Sequence, residues 1–438
     1  MVLLFSATVF GQVSTPLGPP QATVPRPSPP APGAMKLTLP QAEQLALRNN
    51  PQIGQAQYEA NAYEQITQEF RAAYLPTLDV NVTAVGADSG SRLAAGALNN
   101  PVVYNRVGTG VTLSQMISDF GRTNNLVASA RFSAQAQQEA VSSTKAEVVV
   151  RTDGAFLAVL RARALRAVAQ ETVRARQDVV DQVQALFNSK LKSSLDVSIA
   201  NVNLADAKLL LSNAENDLRS AEAQLARQLA VPAGTRFDLA EPTVLSGPPP
   251  DQAQLIQAAM QQRPDLRERR LQVDSERRFA RAEELLSRPT VGLLGSTGYV
   301  PAADSPVPGR YGAVGVNVRI PVFNGGLFRA RSFEAEARVA ATEKSAQDLE
   351  LQVQQDVRVA WLDAMNAFER LDLTQQLLNQ ARLALDLAQA RYNLGLSSIV
   401  ELSQSQLQYT SAEIARARAE YDYTAQRRIL LFQAGQLP

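Results

Sequence analysis

The 438-residue chain contains no cysteine and no histidine. Thiolate nucleophiles, disulfides, Ser-His-Asp triads and zinc sites built on His or Cys are therefore excluded. Carboxylate, lysine, tyrosine and hydroxyl chemistry remains, and no cluster of these groups has the spacing of an active site. No nucleophile–base pair is visible and no cofactor is implied, so the chain does not read as an enzyme. The net charge of +1 argues against a nucleic-acid partner. Arg267, Arg269, Arg270, Arg277 and Arg278 form the only basic clusters. They fall on a helical pattern and read as a solvated face.

The elements that must carry any function occur twice. Pro51 and Pro76 are matched by Pro264 and Pro289 at one constant offset. Further on a second, shorter offset holds: Asp119-Phe120-Gly121 pairs with Asn324-Gly325-Gly326, Ala155-Phe156-Leu157 with Ala360-Trp361-Leu362, and Phe187-Asn188 with Tyr392-Asn393. A duplication this long fixes the architecture as two similar units. The first is expected over 37–240 and the second over 251–438. The offset shortens by eight positions because the interval from Pro76 to Asp119 is longer by that amount than the interval from Pro289 to Asn324. The difference is placed in a loop, where length changes are tolerated.

Residues 1–36 stand apart. Met1 to Gly11 resembles the apolar region of a secretory signal, although no basic residue precedes Arg26; a disordered apolar end is the alternative. Residues 16–34 carry eight prolines and read as a polyproline-like or disordered leader. No later stretch is apolar over the ~18 residues of a spanning helix.

Within each unit a short helix comes first, and Pro51 or Pro264 then opens a second helix at its first turn. Two alternating segments follow, expected as strands at 77–86 and 107–116, and again at 290–299 and 311–320. Asp119-Gly121 and Asn324 then open long helices, 119–187 and 325–392, with Asn324 expected as the cap. In the second unit Val353, Val357, Ala360, Ala364, Ala367, Leu371, Thr374, Leu378, Ala381, Leu385, Ala388 and Tyr392 step by alternating fours and threes. That 3.5-residue period marks helices supercoiling around one another. The stripe from Val148 to Phe187 repeats it more weakly, interrupted by Arg166 and Arg176. Turns at 188–194 and 393–398 lead into return helices, 195–230 and 399–434, so each unit contains a long antiparallel hairpin.

Each strand has about the length of a tilted transmembrane strand, ~9–11 residues. A small soluble sheet with one wet face is equally compatible with the alternation. Strands in lipid must form a closed barrel, which takes about eight of them. The chain offers four, so a membrane barrel requires oligomerisation.

The chain resembles the TolC family of outer-membrane efflux and secretion channels, from about Leu37 to Leu437. The carriers are Asn49-Asn50-Pro51 and Gln262-Arg263-Pro264, the strand exits Leu113-Ser114-Gln115 and Ile320-Pro321-Val322-Phe323-Asn324-Gly325-Gly326, and the turn Arg391-Tyr392-Asn393-Leu394-Gly395-Leu396 followed by Ile399-Val400-Glu401-Leu402. The implied fold is mainly α with a β-barrel portion. Three chains of four strands would make a twelve-stranded barrel in outer-membrane lipid. Their duplicated hairpins would make an α-helical tunnel across the periplasm. The resemblance further implies a homotrimer whose hairpin tips meet a periplasmic adaptor and, through it, an inner-membrane pump or ABC transporter.

At the tips the resemblance assigns roles by residue. Gly395-Leu396 is similar to the turn an adaptor recognises; a plain helix-ending glycine is the alternative. Lys190-Leu191 is the corresponding pair in the first unit, with lysine where glycine is expected. Glu401 falls where the family narrows the tunnel with an acid, and Gln404 stands where a second acid often follows. Tyr392 and Asp196 match a pair that holds the closed tip, with Ser397 in place of the supporting basic residue; Asp196 as a simple helix cap is the alternative. The expected function is a passive outer-membrane exit duct for small molecules or polypeptides. A soluble periplasmic coiled-coil adaptor or scaffold is the rival reading.

Overall fold

The computed structural model describes residues 35–88, 90–91, 104–242, 247–303 and 309–437. The signal-like segment and proline-rich leader lie outside these residues, as does most of the expected loop between the first two long strands. The elements are β1 (Met35–Leu37), α1 (Leu39–Asn49), α2 (Pro51–Ala72), β2 (Thr77–Val85), β3 (Arg106–Ser118), α3 (Arg122–Asn188), α4 (Ser194–Gln228), β4 (Phe237–Leu239), α5 (Gln252–Gln262), α6 (Pro264–Glu284), β5 (Thr290–Ala303), β6 (Arg310–Arg319), α7 (Leu327–Asn393) and α8 (Ile399–Gln433). The chain is mainly helical.

The duplication governs geometry at single-residue precision. Helices α3 and α7 each contain 67 residues, and α4 and α8 each contain 35. At 1.5 Å per residue the long helices span roughly 100 Å. The first hairpin of strands pairs Thr77 with Ser114 and Val80 with Val111. The second pairs Thr290 with Arg319 and Leu293 with Val316. These are the same pairs, displaced by the longer offset on one strand and by the shorter on the other. The strand order is β2-β3-β5-β6, with β2 and β6 as free edges.

Short-range chemistry explains the helix starts. Thr38 and Gln41 form a capping box on α1, and the Asn50 side chain accepts from the Gln52 amide at the start of α2. Asn50 Nδ2 also donates to the Gln228 carbonyl at the end of α4. In the second copy Arg263 takes the same place and donates to Gln433 Oε1 at the end of α8 (2.9 Å), while pairing with Asp265 and Asp356. Asn324 is not the cap of α7. That position is Gly326, at φ 84° with no side-chain bond, and Asn324 supplies only a carbonyl to the Leu327 amide. Two successive glycines at positive φ turn the chain so sharply that the helix starts two residues late.

Three reversals carry a further signature of the duplication. Among the described residues the non-glycine positions at positive φ are Phe120 (54°), Lys190 (60°) and Ala230 (52°). Their counterparts in the second copy are Gly325 (62°), Gly395 (73°) and Gly435 (71°). The backbone is the same in both copies, but only the second uses the residue that adopts it without a Cβ penalty.

The core confirms the 3.5-residue stripe. Of its twelve positions in α7, Val353, Val357, Ala360, Ala364, Ala367, Thr374, Ala381, Ala388 and Tyr392 are buried. In α3 the stripe is buried at Val148, Thr152, Val159, Ala162, Ala169, Arg176 and Val183, whereas Phe187 at its end is exposed. One core cluster joins β1, α1, α3, α4 and β4, including Ala42, Ala46, Phe156 and Leu225. A second joins α5, α7 and α8, and uses the counterparts Leu255 and Ala259. The parallel pairing of β1 with β4, which sets Met35 opposite Phe237, has no sequence signature.

The arginines of α6 are largely exposed, as expected of a solvated face, and three of them also form ion pairs with the long helices. Arg267 reaches Glu139 on α3, while Arg270 and Arg277 reach Glu350 and Glu343 on α7. Helix α6 is thus tied into the groove between the two long helices. A second polar junction links the copies: Arg428 on α8 binds both Asp153 on α3 and Glu43 on α1. Burial pushes the Asp153 carboxyl up to about 7 against the pull of Arg428, and its Oδ1 has no hydrogen-bond partner among the described residues.

Candidate functional site

The residues singled out in the sequence collect at one end of the molecule, where both hairpins turn. Each long helix ends in a left-handed residue, Lys190 or Gly395. The next amide then bonds back across the last turn: Leu191 N–H to Leu186 O at 2.9 Å, and Leu396 N–H to Arg391 O at 2.8 Å. This six-residue closure satisfies a carbonyl that the helix end would otherwise orphan. Lysine at position 190 therefore leaves the turn unchanged in shape. Leu191 and Leu396 project from the two turns at 70% and 68% exposure, with Leu195 exposed beside the first and Leu394 on the second, so both tips offer large apolar side chains.

The return helices begin alike and then diverge. Ser193 and Ser398 cap them, each hydroxyl accepting the amide three residues on, at 3.3 Å from Asp196 and Glu401. Asp196 closes a capping box, accepting from the Ser193 amide (2.9 Å) and hydroxyl (2.7 Å). These bonds hold its carboxyl below the usual range. Glu401, its counterpart, instead pairs with Arg391 across the turn, Nε to Oε1 3.3 Å. Both partners are about half exposed, so the pair contributes little stability. Its effect is on charge, since a guanidinium accompanies the Glu401 carboxylate. Gln404 is exposed one turn further along α8.

Tyr392 is buried among Val179, Val183, Ala200, Ile399 and Leu402, which come from both hairpins. Its hydroxyl has no hydrogen-bond partner among the described residues. Burial raises its pKa first and the Asp196 carboxylate second. Asp196 is thus a near neighbour that acts on Tyr392 through charge, while its hydrogen bonds go to the cap. The cation at this place is Lys192, whose Nζ lies 4.5 Å from the Tyr392 ring centroid. It comes from the opposite hairpin to the missing base at Ser397.

Sequence reasoning missed Lys192, Arg391 and Arg176. Arg176 interrupts the apolar stripe of α3, and its buried guanidinium donates to Gln406 of α8. Burial lowers its pKa. Asn203 donates to Ser403 (2.8 Å) and Gln182 to Asn393 (3.1 Å). The hairpins are therefore laced together by polar side chains over their last turns. The interruption of the stripe by an arginine was the signal available. Among the described residues no group of acidic side chains is arranged to hold a metal.

The chain is similar to the outer membrane protein TolC of Escherichia coli, 23% identical over 88% of this chain and 79% of that protein. It is also similar to the alkaline protease secretion protein AprF of Pseudomonas aeruginosa, 26% identical over 92% of this chain and 85% of that one. The crystal structure of the outer membrane protein VceC from Vibrio cholerae superposes with a TM-score of 0.78 at 17% identity, covering 91% of this chain and 96% of that one. The family model described as outer membrane efflux protein matches residues 42–231 and 255–436. With two matches across most of its length, the chain belongs to the outer membrane efflux protein family.

Proposed function

We propose that the chain is one of three in a passive exit duct that crosses the outer membrane and extends into the periplasm. The observation that carries this reading is a sheet whose two edge strands bury neither face. Every described position of β6 is exposed, as is all of β2 except Val85. Leu78, Val80 and Val82 line up with Val314, Val316 and Val318 as apolar side chains 53–80% exposed. The opposite face carries Asp79, Asn81, Thr83 and Asn317. A soluble sheet of this size would rest one face on a core. An apolar face toward lipid and a polar face toward a lumen fits the alternation without a core. Four strands with two free edges leave the barrel to be closed by further copies.

The two hairpins would form the periplasmic tunnel. The tips, with Gly395-Leu396 and Lys190-Leu191 as contacts, would receive a periplasmic adaptor connected to an inner-membrane pump or ABC transporter. Glu401 and Gln404 would line the narrowest ring, each Glu401 accompanied by Arg391. Tyr392, Asp196 and Lys192 would hold the tips closed. Opening follows from the adaptor's higher affinity for the parted tips. Planar-bilayer recording on the purified oligomer tests the reading: discrete, long-lived conductance steps are expected. Detergent-stable trimers without any conductance would refute it.

A further inference from the structure

One row of residues crosses all four long strands on the polar face of the sheet: Asn81, Gly110, Gly298 and Tyr311, each paired with the next. Gly110 is the single buried position of β3, and Tyr311 is what covers it. A Cβ on Gly298 would come within 2.5 Å of both Cζ and Oη of Tyr311. One on Gly110 would meet Oη more closely still, with Cζ at 3.2 Å. The ring therefore lies flat, passes over β5 and ends with its hydroxyl on β3. No side chain at either glycine could coexist with that placement. Glycine in a strand marks such close approach, and an aromatic ring laid over it restores the cover that the missing side chain leaves out.

The strands do not require this arrangement for their own pairing. By the two offsets of the duplication, the counterparts of Gly298 and Tyr311 are Val85 and Arg106, which pair with one another in the first copy. There the wall carries a full side chain, and the exposed guanidinium extends into water. A tyrosine standing off the wall would instead hold both apolar ring faces in water. Laid in the recess it buries one face against backbone and keeps the other level with the wall, at 45% exposure. The row lies near the strand ends that face away from the helices, since Gly110 is the fifth residue of β3 and Tyr311 the second of β6.

We propose that Tyr311 sets the clearance of the duct near its outer mouth, and that Gly110 and Gly298 hold its ring down. This rests on the exit-duct reading, which turns the polar face toward the lumen. Tyr311 is then a size-determining residue of the pathway. A ring raised off the wall in every copy would narrow the passage, and the two-glycine recess prevents it. The two glycines differ in what else a side chain would strike. At Gly298 the Thr109 carbonyl also stands 2.5 Å away, whereas at Gly110 the closest backbone atom, the Thr297 carbonyl oxygen, is at 3.1 Å. Gly110 is therefore the position where a methyl group acts mainly on the ring.

The chain has no cysteine, so a single introduced one reports passage. Ser114 is exposed on the same face of β3 and lies deeper than Gly110 as seen from the outer mouth. Full-length Ser114→Cys protein in intact cells is labelled from outside with a small maleimide and, separately, with one carrying a bulky polymer. Gly110→Ala is expected to slow the bulky reagent several-fold and to leave the small one unchanged. Adding Tyr311→Ala should return the bulky rate to its starting value or above. Equal bulky rates with and without Gly110→Ala, or a slowing that Tyr311→Ala does not relieve, would overturn the proposal while leaving the exit duct standing. No labelling of Ser114→Cys even by the small reagent would instead remove the exit-duct reading itself. If Gly110→Ala does not assemble, the same contact predicts that Tyr311→Ala, or Tyr311→Phe, which deletes the struck hydroxyl, restores a heat-stable oligomer. Failure of both to restore it would assign the glycine to the backbone alone and overturn the proposal.

Discussion

Lys190→Gly should tighten the first hairpin tip, and the structure sets how much. A side chain at φ 60° costs about 1–2 kcal/mol relative to the right-handed region. Glycine removes that penalty but gives back about 0.5–1 kcal/mol through its freer unfolded chain. The net expectation is stabilisation by about 0.5–1 kcal/mol, a two- to fivefold smaller opening equilibrium. The readout is hydrogen exchange at the Leu191 amide, whose bond to Leu186 O closes the turn (2.9 Å). The reverse change, Gly395→Ala, should speed exchange at the Leu396 amide by a similar factor, since an added Cβ there meets nothing within 4 Å and only the backbone term acts. Gly435→Ala should cost more, because its Cβ would come within 2.9 Å of the Arg263 amide. Faster exchange at Leu191 in Lys190→Gly would refute the reasoning. It would show that the lysine side chain stabilises the turn by more than its backbone strain.

Two further outcomes follow from charge. Glu401→Gln is expected to weaken cation selectivity of the pore and Arg391→Gln to strengthen it, because the two offset one another at 3.3 Å; reversal potentials in a salt gradient check this, and equal values for all three proteins would remove the pair from the constriction. Asp153 has a folded-state pKa raised to about 7, above its unfolded value, so the folded protein holds the extra proton between the two. Its contribution therefore falls as pH rises from about 4 to about 7, and vanishes as a pH dependence in Asp153→Asn. The difference in thermal midpoint between wild type and Asp153→Asn, followed across that window, should slope in this sense; a flat difference would sink it.

Much of this was legible because periodic patterns are local. Alternation at Leu78, Val80 and Val82 and the stripe from Val353 to Tyr392 are properties of adjacent turns and pleats, and the folded chain keeps them. What escaped depends on contacts between distant segments. The three-residue strands around Met35 and Phe237 are too short for any period. The α6 arginines are exposed as read, but the acidic partners of Arg267, Arg270 and Arg277 lie on α3 and α7 and left no local trace. Lys192 could not be paired with Tyr392 until two hairpins were seen to end side by side. Asn324 failed as a cap for a local reason that was visible, the glycine pair that follows it.

The equal lengths of the paired helices have a consequence for what can change in this chain. One residue inserted into α3 would advance its tip by about 1.5 Å and turn everything beyond it by about 100°. Its buried stripe would then swing off α8, and Lys192 off Tyr392, while the 67-residue partner helix stayed in place. Such an insertion is tolerable only if matched at the equivalent place in α7. The two copies are therefore free to drift in composition, as Lys190 and Gly395 have, but are bound to one ruler. Length variation is confined to the segments where strands turn, and there the copies already differ.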